Sequence, residues 1–514
     1  MTRSPLIHPL LFASYPIVFL VAENLDDQID AGSVLATLGA TLAATLLLFG
    51  FTRLVFRGPH AAAFVTSGLV LLFFSFGHVE DVVDPFGFGT EEKVLLLEWA
   101  LIALSALLIA VRFRERLRAI TGGLNLLAAV LVALNLIPIV TFAVGGSRAS
   151  RASDDPPQGL HAEDPKRDIY YIIFDRYANE RTLEDLYGFD NGPMLGWLER
   201  QGIYVAHDSV ANYPKTAHSL ASSLNMTLLG DLAERMGEDS GDWRPVVGLL
   251  RGFRVARYLQ SLGYRYYHIG SWWTPTREDP SADVEYRFGA ASEFASTLLS
   301  TTLWDPISRR LDLSWSPGFE REEYERVLYQ FDRLEQIPED PAPSFAFVHF
   351  TLPHPPFVFD RNGDYVSEGE KQWVNDEGYV EQLIYTNRRI RELVTKLLAG
   401  PASEDPILIL QSDEGPHPRA LEIDEMAYEW TEATDEDLMR KLAIFNAYYF
   451  PGVGHDALKP SITPVNTFRL VFDLYFGADL PLLPDRTWVF EDQGHPYRLS
   501  EVTSRLRRIL ADAS

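Results

Sequence analysis

Residues 1–146 carry five apolar segments, at 5–22, 33–56, 61–76, 94–111 and 124–144. Each approaches or exceeds the roughly 20 residues that a helix needs to cross a bilayer. That pattern constrains the fold more than any other feature, because it predicts a five-span membrane domain before the remaining two thirds of the chain is considered. The first segment alone also resembles a secretion signal, but no small-residue cleavage site follows it and further spans come after.

Charge in the loops predicts the orientation. Arg3, Arg53, Arg57, Arg112, Arg114, Arg116 and Arg118 fall on one side; Glu23, Asp26, Asp27, Asp30, Glu80, Asp81, Asp84, Glu91 and Glu92 fall on the other. The arginine side is expected to be cytoplasmic. With the N-terminus inside, five spans send the chain after residue 144 out of the cytoplasm. Charges at span edges give no sign of an ion pathway. An anchor is the most economical role, and a platform for a lipid substrate is the second.

The rest of the chain differs in composition. Residues 147–167 are rich in Gly, Ser, Pro and Asp and read as a flexible tether; residues 168–514 read as a layered α/β domain. A formal charge of −26 argues against nucleic acid as a partner. The chain has no cysteine, which excludes disulfides, thiolate catalysis and Cys-ligated zinc. Helices are expected at 180–187, 194–201 and 251–262, a helical insertion at 298–311, and strands at 204–206 and 264–269. Thr463 followed by Pro464 predicts a capped helix over 465–476, with Arg469 able to face a site.

Three continuous apolar runs, 169–174, 344–350 and 407–412, have the pattern of strands buried on both faces of a parallel sheet. Chemistry-bearing residues follow each one. Asp175 closes the first, where α/β sheets place their ligands. The second runs into His354, stiffened by flanking prolines, while His349 within that strand reads as a hydrogen-bonded core residue. The third ends in Asp413, Glu414, Gly415, Pro416 and His417. Adjacent carboxylates repel unless a cation neutralises them. Between the first two strands, Lys215 and Thr216 stand where a loop turns into a helix, so a hydroxyl and a cation meet the positive helix end. Each feature has a plainer alternative: a helix cap for Thr216, a turn for Asp175, a structural imidazole for His354 and a solvated acidic turn for Asp413 and Glu414.

With Asp175, Thr216, His354 and the Asp413-Glu414 pair in this order, the chain resembles the alkaline phosphatase and sulfatase superfamily. It is most similar to the membrane-anchored branch of lipoteichoic acid synthases and phosphoethanolamine transferases, which join five transmembrane helices to an extracytoplasmic catalytic domain. The resemblance implies an alkaline phosphatase-like mixed sheet flanked by helices. It makes Asp175, Thr216, Asp413 and Glu414 ligands of one divalent ion (Mn, Mg or Zn), Thr216 the nucleophile, and Lys215 and His354 substrate contacts. It further implies a bacterial-type cell membrane and a membrane lipid or envelope glycan as substrate. The family usually reads Asp-His-Gly where this chain has Asp413-Glu414-Gly415, which shifts preference toward harder ions and leaves His417 to supply an imidazole. A degenerate, non-catalytic binding protein and a sulfatase-like ester hydrolase are the alternatives. The stretch around Thr216 lacks the Cys/Ser-x-Pro-x-Arg motif of formylglycine sulfatases.

Overall fold

The computed structural model describes residues 5–24, 31–56, 58–83, 92–113, 116–144, 160–162, 166–289, 293–310, 319–366, 375–401 and 404–512. The chain forms two compact units, Met1–Arg148 with Ala290–Phe319, and Ala149–Gly289 with Glu320–Ser514. Most of the expected tether, 147–159 and 163–165, lies outside the described residues, as do Arg3, Asp26, Asp27, Asp30, Arg57, Asp84, Glu91 and Arg114.

All five expected apolar segments of the first unit are helical: α1 (His8–Glu23), α2 (Ala31–Phe56), α3 (Pro59–Val83), α4 (Glu92–Arg112) and α5 (Leu117–Val144). The last four have the length and apolarity to cross a membrane, while α1 is apolar but only 16 residues long. Leu47 and Leu54 are exposed by 77% and 81%, whereas His8, Thr52, Thr66, Ser67 and Thr121 are buried. The buried polar groups bond one another, His8 Nδ1 to Ser67 Oγ at 2.7 Å and Thr52 to Thr66 at 2.9 Å. Apolar side chains outside and paired polar groups between helices are what a hydrocarbon solvent selects. This is a membrane protein.

The expected insertion at 298–311 is two helices, Glu293–Ser300 and Trp304–Arg310, with residue 311 outside the described residues. They belong to the first unit. Phe294 and Leu298 pack with Ile17, Leu20, Val34 and Leu38. Between them, Thr301 O accepts from the Gly77 N–H at 3.0 Å and the Leu303 N–H donates to Phe73 O at 2.9 Å. Residues 73 and 77 are i and i+4 partners of α3, so the insertion is stitched into that ladder. A Cβ at Gly77 would stand 2.7 Å from Thr301 O, so the contact requires glycine.

The second unit holds a seven-stranded sheet formed by β1 (Ile169–Phe174), β2 (Tyr204–Val205), β3 (Arg265–Ile269), β4 (Val284–Tyr286), β5 (Ser344–Phe350), β6 (Ile407–Gln411) and β7 (Asn446–Tyr449). Their spatial order is β2-β7-β6-β1-β5-β3-β4. β1 pairs in parallel with β5 and β6 on either side, and β7 is antiparallel to both β6 and β2. Strand parity divides the core: Ile169, Tyr171, Ile173, Phe345, Phe347, Ile407 and Ile409 face one layer of helices, and Tyr170, Ile172, Phe174, Ala346, Val348, Leu408 and Leu410 face the other. The helix Thr216–Asn225 packs on the first face through Ala217, Leu220, Ala221 and Leu224.

Two local expectations are corrected. Thr463 does not cap an α-helix: Pro464–Asn466 is a 3₁₀ turn, the α-helix runs Thr467–Phe476, and the Thr463 hydroxyl bonds Asp485 at 2.9 Å. Arg469 points away from the sheet end, donating to Met226 O and Pro481 O.

Candidate active site

The parity that divides the core also builds the site. β5, β1 and β6 are neighbours with a common direction, so their carboxyl ends lie side by side. On the face covered by the helix Thr216–Asn225, Phe345 and Phe347 are continued by His349. Asp175 follows Phe174 directly, and Asp413 stands two residues beyond β6. One side-chain atom from each of Asp175, His349 and Asp413 lies within 4.8 Å of the others, and all three residues are buried. His349 Nε2 is 3.6 Å from Asp175 Oδ2.

These groups are poorly satisfied by the protein alone. Asp175 Oδ1, both Asp413 carboxyl oxygens and His349 Nε2 have no hydrogen bond. Burial, then the charge of Glu414, pushes the Asp175 carboxyl up to about 7. Burial and the charges of Asp175 and Glu414 push Asp413 well up as well. Orphaned buried carboxylates beside an unpaired imidazole nitrogen are costly as they stand, and a divalent cation would satisfy them together. The mixed N and O donor set suits Zn or Mn and accepts Mg. His349 Nδ1 is 2.8 Å from Thr276 Oγ1, itself 2.8 Å from Ser271 Oγ. A proton on Nδ1 given to Thr276 leaves Nε2 with its lone pair toward the carboxylates.

Thr216 is the first residue of its helix. Lys215 occupies the N-cap position and no side chain caps the helix, so the Thr216 hydroxyl is not spent on its own backbone. Thr216 is half-buried, and its hydroxyl lowers the pKa of Asp413 as a hydrogen-bonding neighbour, although neither Asp413 oxygen has a bond of full geometry. Ser219, one turn on, donates to Asp413 O at 2.7 Å and locks the helix to the loop.

Of the residues expected from sequence, Asp175 and Asp413 meet, and Thr216 neighbours Asp413. Glu414 is next to them but outside the three-residue group: its Oε1 accepts from Lys441 Nζ at 2.6 Å and lies 3.6 Å from Arg176 Nε. Lys215 is ion-paired with Glu425. His354 is half-buried beside Asp175, whose carbonyl accepts the His354 N–H at 3.2 Å; its ring is kept neutral first by burial and then by Arg176. His417 Nε2 is 2.8 Å from an Arg176 guanidinium nitrogen and 3.8 Å from Glu414.

Arg176 and Lys441 are the residues that sequence reading missed. His349 is the hydrogen-bonded core residue expected from sequence, and it also adjoins the two aspartates, a placement that alternation along β5, on the same face as Phe345 and Phe347, could have signalled. Arg176 and Lys441 left no such signal. Arg176 holds a left-handed backbone, φ 62°, with its carbonyl bonded by the Tyr379 hydroxyl at 2.8 Å. A non-glycine residue in that region is held there by its surroundings. Arg176 and His417 line a small open cleft with Tyr187, Phe357, Tyr379 and Glu422.

Buried in one cluster, two carboxylates and one imidazole form a candidate metal site, with a hydroxyl at a helix N-terminus beside it. The sulfatase family profile matches residues 195–466, more than half of the chain, and the chain belongs to the sulfatase family. The superfamily read from sequence is thereby borne out. No curated protein matches the sequence. Among solved structures, the chain is similar to the integral membrane lipooligosaccharide phosphoethanolamine transferase A of Neisseria meningitidis (13% identity, TM-score 0.42, covering 93% of this chain and 96% of that one). It is also similar to the zinc complex of the C-terminal periplasmic domain of EptC from Escherichia coli (12% identity, TM-score 0.43, 68% and 96%). A Vibrio parahaemolyticus protein of the alkaline phosphatase superfamily is a third (13%, 0.40, 66% and 78%).

Proposed function

We propose that this chain is a membrane-anchored, metal-dependent enzyme that moves a phospho group of an envelope lipid or glycan through a Thr216 nucleophile. The carrying observation is the coincidence of the orphaned Asp175, His349 and Asp413 atoms with a helix-terminal hydroxyl that caps nothing. Asp175, His349 and Asp413 would hold a divalent ion, with Thr216 completing the set. Such an ion supplies a lowered hydroxyl pKa and neutralises developing negative charge.

In this reading Thr216 Oγ attacks phosphorus, the bond to the leaving oxygen breaks, and the proton from Thr216 ends on that oxygen. The helix N-terminus and Arg176 stabilise the equatorial oxygens; neutral His417, whose Nε2 accepts from Arg176, can donate from Nδ1 at the rim, whereas neutral His354, its Nδ1 donating to Pro355 O, presents an accepting Nε2. An alcohol or water then displaces Thr216, which regains its proton. An alcohol makes the protein a transferase and water a hydrolase. Phospho transfer is preferred to sulfate-ester hydrolysis because Thr216 cannot become formylglycine. The loop charges support a cytoplasmic N-terminus and an extracytoplasmic catalytic unit.

The test is intact mass spectrometry of wild type and Thr216→Ala after incubation with membrane lipids. A phospho adduct on wild type alone supports the reading; equal labelling, or none with every lipid headgroup class, overturns it.

A further inference from the structure

Deepening the metal-dependent reading, on which it rests, a second question is which residues are ligands. Asp175, Asp413 and Glu414 place three carboxylates at one sheet end, and the cations acting on Asp175 are Arg176 and Lys441. Both approach Glu414 Oε1, the ammonium at 2.6 Å and the Arg176 Nε at 3.6 Å. The negative charge left uncompensated is therefore on the two aspartates, which carry three of the orphaned oxygens. Glu414 Oε2 also lacks a hydrogen bond, but no Glu414 oxygen falls within the group formed by Asp175, His349 and Asp413.

Lys441 is wholly buried at the end of the helix Asp435–Leu442. It is fixed from two sides. Its Nζ also donates to Gly415 O at 3.0 Å, and its own carbonyl accepts the Gly415 N–H at 2.7 Å. A Cβ on residue 415 would stand 2.2 Å from Arg440 O, so glycine at this position is what lets the two backbones meet. An ammonium held this closely cannot swing aside, and a buried pair of this kind is strongly resistant to losing one partner.

We propose that Lys441 withdraws Glu414 from the metal, and that His349, on the neighbouring strand, supplies the third protein ligand in its place. Lys441 is thus a positioning residue: by occupying Glu414 it keeps the remaining coordination positions open for Thr216 and the substrate. This explains how an Asp-Glu-Gly sequence is compatible with an intact site.

The experiment is calorimetric titration of the detergent-solubilised full chain with Mn²⁺ and with Zn²⁺, alongside turnover and thermal melting. The double variant Glu414→Gln/Lys441→Met removes one charge of each sign, leaving net charge unchanged and Arg176 to Asp175 alone, and should bind within about threefold of wild type. Asp413→Asn and His349→Ala should each weaken binding by at least about tenfold. Lys441→Met alone frees Glu414, so it should bind the ion more tightly while turning over more slowly, an opposed pair of effects that loss of packing would not produce. If Lys441→Met does not fold, the double variant still decides. Weak binding by the double variant makes Glu414 a ligand and overturns the proposal, as does unchanged binding by His349→Ala. No binding by wild type would instead sink the metal-dependent reading itself, and this inference with it.

Discussion

The two units both bury apolar side chains but differ in what they expose. In the first, large aliphatic side chains such as Leu47 and Leu54 face outward and hydroxyls and imidazoles face inward. In the second, the sheet faces are aliphatic and aromatic, and polar groups are buried mainly where they bond or where the candidate site lies. One solvent selects for apolar exteriors and the other against them. The lesson is that a buried polar group carries different information in each. His8 bonds Ser67 through Nδ1 and leaves Nε2 unbonded, as His349 does with Thr276, but His8 belongs to no cluster of metal-ligating groups among the described residues. The unbonded Asp175, His349 and Asp413 atoms lie together, and that clustering, rather than the deficit alone, points to a ligand.

The largest effect should come from the site. Thr216→Ala removes the proposed nucleophile and should lower turnover by at least about a thousandfold. Its hydroxyl makes no cap, so melting should stay close to wild type. Substantial residual turnover would make Thr216 a bystander and reduce the contrast between clustered and isolated buried groups to a difference of packing.

The two solvents can be contrasted with one chemical change. Leu410, buried in β6, should cost about 2–5 kcal/mol when replaced by alanine. Leu47→Ala, on the outward face of α2, should change the melting of the detergent-solubilised protein by no more than about 0.5 kcal/mol. Similar losses at both positions would mean that Leu47 is covered, and the inside-out description would fail.

The insertion at Glu293–Ser300 and Trp304–Arg310 joins the comparison, since it is bracketed in sequence by the second unit and packed in the first. Gly77→Val should break its backbone stitch, at a cost of about 1–3 kcal/mol from overpacking against Thr301. Hydrogen exchange at the Leu303 amide reads this directly. Protection there equal to wild type would show that the stitch does not hold the insertion.

Legibility followed the range of the physics involved. The apolar helices and the strands β1, β5 and β6 were visible because a buried element writes its pattern into consecutive residues. Asp175, Thr216 and Asp413 were visible as polar residues at the ends of such elements. His349 reads as a hydrogen-bonded core residue and is one, buried with Nδ1 on Thr276; what a single strand cannot show is that its other ring nitrogen lies beside Asp175 and Asp413, which takes the parity of adjacent strands. Lys441 was invisible: its meeting with Glu414 depends on a backbone approach across 26 intervening residues that only Gly415 permits, and nothing local records it. The two-helix form of the insertion was half legible, since its helicity is local but its attachment to α3 is not.

The smallest effect separates two carboxylates at opposite ends of β1. Asp175, at the carboxyl end, is orphaned; Asp168, just before the strand, accepts the Ser344 N–H at 2.7 Å. Burial pushes the Asp168 carboxyl up to about 6, the Ser344 bond opposing it. A carboxyl whose folded pKa is raised binds its proton more tightly in the folded state. Its stabilising contribution is complete below the ordinary carboxylate pKa near 4 and is lost as pH rises through about 6. Asp168 is partly exposed, so the loss should amount to about 1–2 kcal/mol rather than the full linkage value. Asp168→Asn retains the acceptor oxygen and removes the titration, so the fall in melting temperature between pH 5 and pH 8 should be smaller than in wild type, while metal affinity is unchanged. Identical falls would show that Asp168 titrates normally; an altered metal affinity would show that the two ends of β1 are not independent.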